Sequence, residues 1–331
     1  MSPHTKVLVT GAGGFIGSHL TAYLKEKGYW VRGVDLKYPE FEKSAADDFV
    51  ICDLRDRGQA IEAVDGMNEV YALAADMGGM GFISSHHAEI LYNNSLINLH
   101  TIEAARMHGV SRYLYTSSAC IYPEHLQTET NVVPLREEDA YPAAPQDAYG
   151  WEKLISERLC KHYNEDYGLD TRIVRFHNIF GEKGTWHGGR EKAPAALCRK
   201  IATAKLSGTN EIEIWGDGEQ TRSFCHVNDC IEGIYRLMRS DHVEPLNLGQ
   251  DRMISINELA DIIAEIAGIE IVKRHIDGPM GVRGRNSDNS RLRNVLGWEP
   301  RISLEDGLKA TYEWIEGEVK AQGAEKLAAA R

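Results

Sequence analysis

The run Lys6-Val7-Leu8-Val9-Thr10, followed at once by Gly11-Ala12-Gly13-Gly14-Phe15-Ile16-Gly17, constrains this chain more than any other segment. The first five residues are rich in apolar and β-branched side chains and read as a buried strand; the glycines then require a tight turn into a helix. Gly11, Gly14 and Gly17 supply in order a sharp turn, close backbone approach to a pyrophosphate, and close helix packing. Phe15 and Ile16 open that helix, whose first amides present partial positive charge to phosphates. A second apolar run ends at Val34-Asp35, placing a carboxylate where an adenosine ribose would lie. A negative group there repels a 2′-phosphate and favours NAD over NADP, with Arg32 and Lys37 as opposing neighbours. A third strand is expected to end near Cys52, leaving Asp53 and Leu54 as candidates to border the adenine.

Apolar runs at 6–10, 30–34, 48–52, 69–74, 112–117 and 171–176 alternate with helix-like segments near 15–27, 57–64, 87–108 and 149–167. That alternation predicts an α/β chain with a doubly wound parallel Rossmann sheet, whose ligands bind at the carboxyl ends of its strands. After residue 178 the pattern loosens, with a helix near 192–205 and a strand near 212–215 suggesting a smaller α/β domain. Segments 229–239 and 245–249 look like a return to the first domain, and helical patterns recur near 255–267 and 304–317. The expected division is an NAD-binding domain, 1–178 and 224–249, interleaved with a substrate domain, 179–223 and 250–331.

The net charge of −12 argues against nucleic-acid and anionic-membrane partners. No apolar run approaches the ~20 residues that span a bilayer. The start of the chain enters the first strand almost directly, so no signal peptide is expected, and the cytoplasm is the natural compartment. Cysteines 52, 120, 160, 198, 225 and 230 lack paired metal spacing, which predicts reduced thiols and no metal site. An acidic protein that binds an anion must gather cations locally. Lys183, His187, Arg190, Lys192, Arg199 and Lys200 do so in one glycine-interleaved stretch, and Arg283 with Arg285 in another. The bland alternative is a pair of solvated loops.

Tyr149 and Lys153 stand four residues apart, on one face of a helix. A phenol needs a downward shift of roughly 3 pH units to act as a base near neutrality. A cation ~5 Å away supplies much of that shift, and an oxidised nicotinamide ring supplies more. Ser118 can share the proton of a substrate alcohol, completing a device for removing hydride and proton from a secondary alcohol. Cys120 lies two residues beyond Ser118. Most free cysteines are small buried hydrophobes, and a lysine at a helix start is usually solvated; beside this device Cys120 and Lys192 are instead candidate proton-transfer groups.

Assembled in this way, the chain resembles the extended short-chain dehydrogenase/reductases that act on sugar nucleotides, from Lys6 to about Trp314. Segments 76–83, 117–123, 145–150, 188–195, 215–223 and 282–288 resemble the GDP-mannose 3,5-epimerase branch of that family. The resemblance implies GDP-α-D-mannose as substrate, with GDP-L-galactose and, by C5 inversion alone, GDP-L-gulose as products. It implies that Tyr149, Ser118 and Lys153 serve oxidation of C4 by bound NAD, and that Cys120 and Lys192 exchange protons at C5 and C3. Which of them is base or acid at each centre stays open. Gly78, Gly79 and Met80 are then expected against the hexose, with Ser118 and Lys192, and Asn178, Arg283 and Arg285 against the GDP moiety. The same resemblance implies a homodimer formed through helices 87–108 and 149–167. His187 departs from the lysine expected in the plant enzymes, and Cys225-His226 from bulkier or hydroxyl residues. Three other readings stand beside this one. A simple 4-epimerase would leave Cys120 and Lys192 idle. A 4,6-dehydratase would carry Asp-Glu where Ala119-Cys120 stand. A non-catalytic NAD-binding regulator would typically lose Tyr149 or Lys153.

Overall fold

The computed structural model describes residues 5–329, with side chains through residue 323. Its centre is a seven-stranded sheet. The first six strands are β1 (Lys6–Thr10), β2 (Trp30–Asp35), β3 (Asp48–Ile51), β4 (Glu69–Ala72), β5 (Arg112–Ser118) and β6 (Thr171–Phe176). The order runs Leu246–Leu248, β6, β5, β4, β1, β2, β3, and every pairing is parallel. Such a sheet is covered on both faces, so its strands read as continuous apolar runs. The α/β doubly wound fold is therefore the observed one.

Alternation along β1 sends Val7 and Val9 to one face and Leu8 to the other. The first face is covered by α1 (Phe15–Glu26), with Leu20 and Leu24 buried against the sheet. The second is covered by α2 (Arg57–Val64), by α4 (His87–Met107), which follows the single turn α3 (Met80–Ile83), and by α5 (Ala148–Tyr167). Strand order reverses between β1 and β4, which opens a crevice above their carboxyl ends. Strand β4 stops at Ala72, two residues short of the apolar run, because the Thr10 hydroxyl takes the amides of Leu73 and Ala74, each at 3.0 Å.

A separate core joins α6 (Ala193–Ser207), α8 (Ile256–Ala267) and the helix Leu304–Ala329, with Leu197, Ile201, Leu259, Ile263 and Leu308 buried together. Between α6 and α8 in the chain, α7 (Val227–Arg239) returns to the first face of the sheet through Ile234 and Leu237. Leu292 and Trp298 also pack into that first core. The strand Glu211–Trp215 pairs in parallel with Val272–Ile276. A small sheet of Met253–Ser255, Thr221–Ser223 and Gly284–Arg285 borders the cleft. Strands of two or three residues leave no periodicity to read, and this sheet was absent from the sequence expectations. The last helix runs to Ala329, well beyond the expected 304–317.

Candidate active site

At the mouth of the crevice the glycine loop is fixed by backbone contact. Gly11 has φ +71°, and a Cβ on Gly17 would lie 2.0 Å from the Gly11 carbonyl oxygen. A Cβ on Gly13, which the sequence reading passed over, would lie 2.0 Å from the carbonyl oxygen of Lys37. The Gly13 amide donates to Asp35 Oδ2 at 3.0 Å and the Lys37 amide to Oδ1 at 3.3 Å. Burial pushes the Asp35 carboxyl up, against the pull of these amides. The carboxylate keeps acceptor capacity for a ribose hydroxyl. Gly14 opens α1 with no side chain over its first turn and no acidic residue within it. This set fits the adenosine and pyrophosphate of a dinucleotide. Asp53 lies nearby but is held by Arg55 (2.7 Å), whose hydrogen bonds keep its carboxyl below the usual range. Leu54 is buried in the core. The chain after β2 then straps across the loop. Glu42 pairs with Lys183 at 2.5 Å, and Phe41 meets Trp314 edge-on at 5.0 Å.

Deeper in the cleft, Ser118 ends β5 and its hydroxyl accepts the Cys120 amide at 3.2 Å. Asp147 caps α5 by accepting the Gly150 amide at 2.8 Å, which starts the helix just before Tyr149. Lys153 is buried. Its Nζ donates to the Thr116 carbonyl at 3.1 Å and lies 4.9 Å and 5.4 Å from the ring centres of Tyr115 and Tyr149. Burial dominates both groups. It raises the Tyr149 phenol well above its ordinary value, with the charges of Cys120, Glu152 and Asp147 adding and the Ser118 hydrogen bond opposing. It lowers Lys153, against the charge of Glu152. The Tyr-x-x-x-Lys spacing alone therefore does not lower the phenol as expected; among the charges the chemistry calls for, the positive nicotinamide is the one left to do so.

Cys120 accepts a hydrogen bond at Sγ from Arg285 Nη1 at 3.3 Å. Lys192 is solvent-exposed, yet the protein around it lowers its pKa, with Cys120 opposing. A side chain meets both conditions where it lines a deep, narrow cleft: water reaches the ammonium, while the walls take up much of the space around it. Lys192 is the N-cap of α6, and the loop ahead of it rests on the glycines of 78–79. The cleft thus assembles a serine, tyrosine and lysine of oxidoreductase type with a thiol and an amine able to carry protons.

Residues 7–249 match the model of the NAD dependent epimerase/dehydratase family. The chain belongs to that family. It is 51% identical over 98% of its length, and over 85% of the relative's, to a GDP-mannose 3,5-epimerase of Arabidopsis thaliana. Among solved structures it resembles the UDP-glucose 4-epimerase of Thermotoga maritima with UDP-glucose (TM-score 0.85, 26% identity, 95% of this chain and 100% of that one). It also resembles the UDP-glucuronic acid 4-epimerase of Bacillus cereus in complex with UDP-glucuronic acid and NAD (TM-score 0.79, 26% identity, 95% and 100%).

Within this epimerase fold the expected cation clusters are mostly spent on the protein itself. Lys183 is taken by Glu42, Arg190 by Asp76 at 3.1 Å, Arg199 by Glu191 at 3.0 Å, and Lys200 by the Glu213 carbonyl at 2.6 Å. His187 meets the Trp186 ring edge-on. Arg283 is half-buried and clamped by both oxygens of the exposed Asp217, each at 2.7 Å. Gly78 and Gly79 touch protein, packing on Phe82, Arg190 and Glu191, while Met80 lies against Gly281. Asn178, at φ +41°, donates to the Ser223 carbonyl at 2.9 Å. Arg285 differs. It is buried, donates to Gln127 Oε1 at 2.6 Å, and stands beside Arg222. Arg222 bonds the carbonyls of Thr221, Met280 and Val282, and burial followed by the charge of Arg285 pulls its pKa to about 9. Among the described residues neither arginine pairs with a carboxylate. Arg222 was missed as a site residue; only its place in Gln220-Thr221-Arg222-Ser223 hinted at it.

Proposed function

We propose that this chain converts GDP-α-D-mannose to GDP-L-galactose, with GDP-L-gulose as the product of C5 inversion alone. The observation that carries this reading is the meeting of Cys120 and Lys192 in the cleft that holds Ser118, Tyr149 and Lys153. Bound NAD supplies acceptance and return of the C4 hydride. Gly11, Gly14, Phe15, Ile16, Gly17 and Asp35 hold it, with Asp53 and Leu54 toward the adenine. Tyr149 takes the C4 hydroxyl proton, Ser118 shares it, and Lys153 orients the phenol. The protons at C5 and C3 become removable only beside a C4 carbonyl. Inversion needs a group on each face, one to remove a proton and one to return it. Cys120 Sγ and Lys192 Nζ are those groups, and the lowered pKa of Lys192 raises its free-amine fraction near neutrality. Hydride returned to C4 leaves no net redox change.

Arg285 and Arg222 are matched to the pyrophosphate, since a desolvated guanidinium without a carboxylate calls for an anion. Asn178 bonds the Ser223 carbonyl, one residue from Arg222; Arg283 can join only by exchanging Asp217 for a phosphate. We read residues 179–223 and 250–331 as the sugar-nucleotide domain. Exposed Leu91, Tyr92, Leu99, Trp151 and Ile155 on α4 and α5 support a homodimer through those helices. No helix among the described residues is long and apolar enough to cross a membrane, and cytoplasmic residence fits. Incubation with GDP-mannose in D₂O, read by mass spectrometry and proton NMR, tests the reading. Deuterium at C5 and C3 in L-sugar nucleotides is expected. Carbon-bound deuterium at neither centre, with NAD supplied, overturns it.

A further inference from the structure

We propose that Arg190 is a positioning residue for proton exchange, and that its pairing with Asp76 is a latch aiming Lys192 into the cleft. The proposal rests on the role given to Lys192 above. Lys192 has extended backbone (φ −88°, ψ 164°), so the helix that follows does not set its direction. The residues before it do. Gly188 and Gly189 have φ of +89° and +87°, and a Cβ on either would meet nothing within 4 Å. They form an unpacked glycine hinge.

Arg190 closes that hinge by four contacts. Its Nη1 donates to Asp76 Oδ1 at 3.1 Å and to the Met77 carbonyl at 3.4 Å. Its guanidinium lies 3.8 Å from the centre of the Phe82 ring, which in turn stacks on His86 at 4.4 Å. Its carbonyl accepts the Gly79 amide at 3.0 Å. A Cβ on Gly79 would lie 2.5 Å from the Glu191 carbonyl oxygen, so only glycine lets the two loops touch here. From the other side Glu191 is held by Arg199 at 3.0 Å and by the Gly189 amide at 2.7 Å. Lys192 follows this doubly held pair directly.

Asp76 is itself anchored. Asn93 Nδ2 donates to its Oδ2 at 3.0 Å, and its own amide donates to Asn94 Oδ1 at 2.6 Å. Asn93 Oδ1 accepts from Arg55 at 3.3 Å, and Arg55 pairs with Asp53. A polar chain therefore runs from the dinucleotide side of the cleft to the loop of the exchanging amine. The latch is weak by design of its setting: the side chain of Arg190 is 49% exposed and that of Asp76 21%. An ion pair so placed opens readily.

The test uses the full chain with NAD and Arg190→Ala. Single-turnover reduction of the nicotinamide reports hydride transfer, and deuterium incorporation in D₂O reports exchange at each carbon. Hydride transfer is expected to stay within about twofold, while deuterium incorporation at C5 and C3, which both need Lys192, falls about tenfold, the size expected from losing one exposed pair and one cation–π contact. Arg190→Lys, which keeps charge but not planar stacking, should fall between. Asp76→Asn combined with Arg190→Ala should lose no more than Arg190→Ala alone. Exchange left within about twofold of the unmodified enzyme, or parallel loss of hydride transfer and exchange, overturns the latch. Absence of exchange in the unmodified enzyme would instead overturn the functional reading.

Discussion

On the cofactor wall of the cleft, a Cβ on Gly17 would strike the Gly11 carbonyl oxygen at 2.0 Å, and both residues belong to a strand–turn–helix buried under α7. On the substrate wall, a Cβ on Gly79 would strike the Glu191 carbonyl oxygen at 2.5 Å, but that carbonyl belongs to a loop hung between side chains. The clashes are alike and the supports are not. One wall is fixed by regular backbone packed in a core, the other by individual polar contacts beside solvent. Similar substitutions should therefore fail in different currencies, stability on the first wall and step-specific activity on the second.

The reference for both is the chemistry itself. Tyr149→Phe should lower turnover by roughly 10²–10⁴-fold with the urea midpoint little changed, as steady-state assays and unfolding curves would report. Gly17→Ala should cost about 1–3 kcal/mol of stability in urea unfolding, because helix and strand cannot part without opening the core. Gly79→Ala should leave stability within about 0.5 kcal/mol yet slow deuterium exchange more than hydride transfer. If Gly79→Ala instead unfolds the chain, the two walls are equally rigid and the contrast fails.

Two smaller effects sharpen it. Glu152 is buried beneath the site, accepting hydrogen bonds from Asn98 (2.5 Å), Tyr115 (3.2 Å) and Ser156 (3.1 Å). Its charge raises both Tyr149 and Lys153. Glu152→Gln keeps an acceptor but removes the charge, so both pKa values fall. The acid limb of kcat/KM, set by the phenol, and the alkaline limb, set by the ammonium, should both move to lower pH. The other groups acting on this pair, Cys120, Asp147, Glu157 and Cys160, stay in place. Smallest of all, Arg283→Ala should change stability by less than about 1 kcal/mol, since its pair with Asp217 is exposed. It should also raise KM less than Arg285→Ala does.

The cofactor wall was legible in the sequence because its determinants are local. β1 was read at 6–10 and observed there, and the glycines, the acid after β2 and the alternating elements carry their meaning within about thirty residues. The substrate wall was legible only as residue types. Cys120 and Lys192 could be singled out, but what holds them depends on pairs remote in sequence, such as Asp76 with Arg190 and Cys120 with Arg285. No periodicity records such contacts. The internal partners of the clustered cations were hidden for the same reason: Glu42, Asp76, Glu213 and Asp217 lie in other elements. Arg222 escaped because its strand has three residues and its carbonyl partners leave no trace in side-chain chemistry.

The strap across the glycine loop has a consequence for synthesis. Phe41 closes against Trp314, far downstream in the chain. At roughly 5–20 residues per second, the ~270 residues between them take a ribosome about 15–55 s to add. For that interval a nascent chain carries a finished phosphate loop whose strap lacks its Trp314 anchor, with Lys183 able to hold Glu42 from about half-way through. The dinucleotide site can be completed early, but its strap can be fully anchored only once Trp314 has been made.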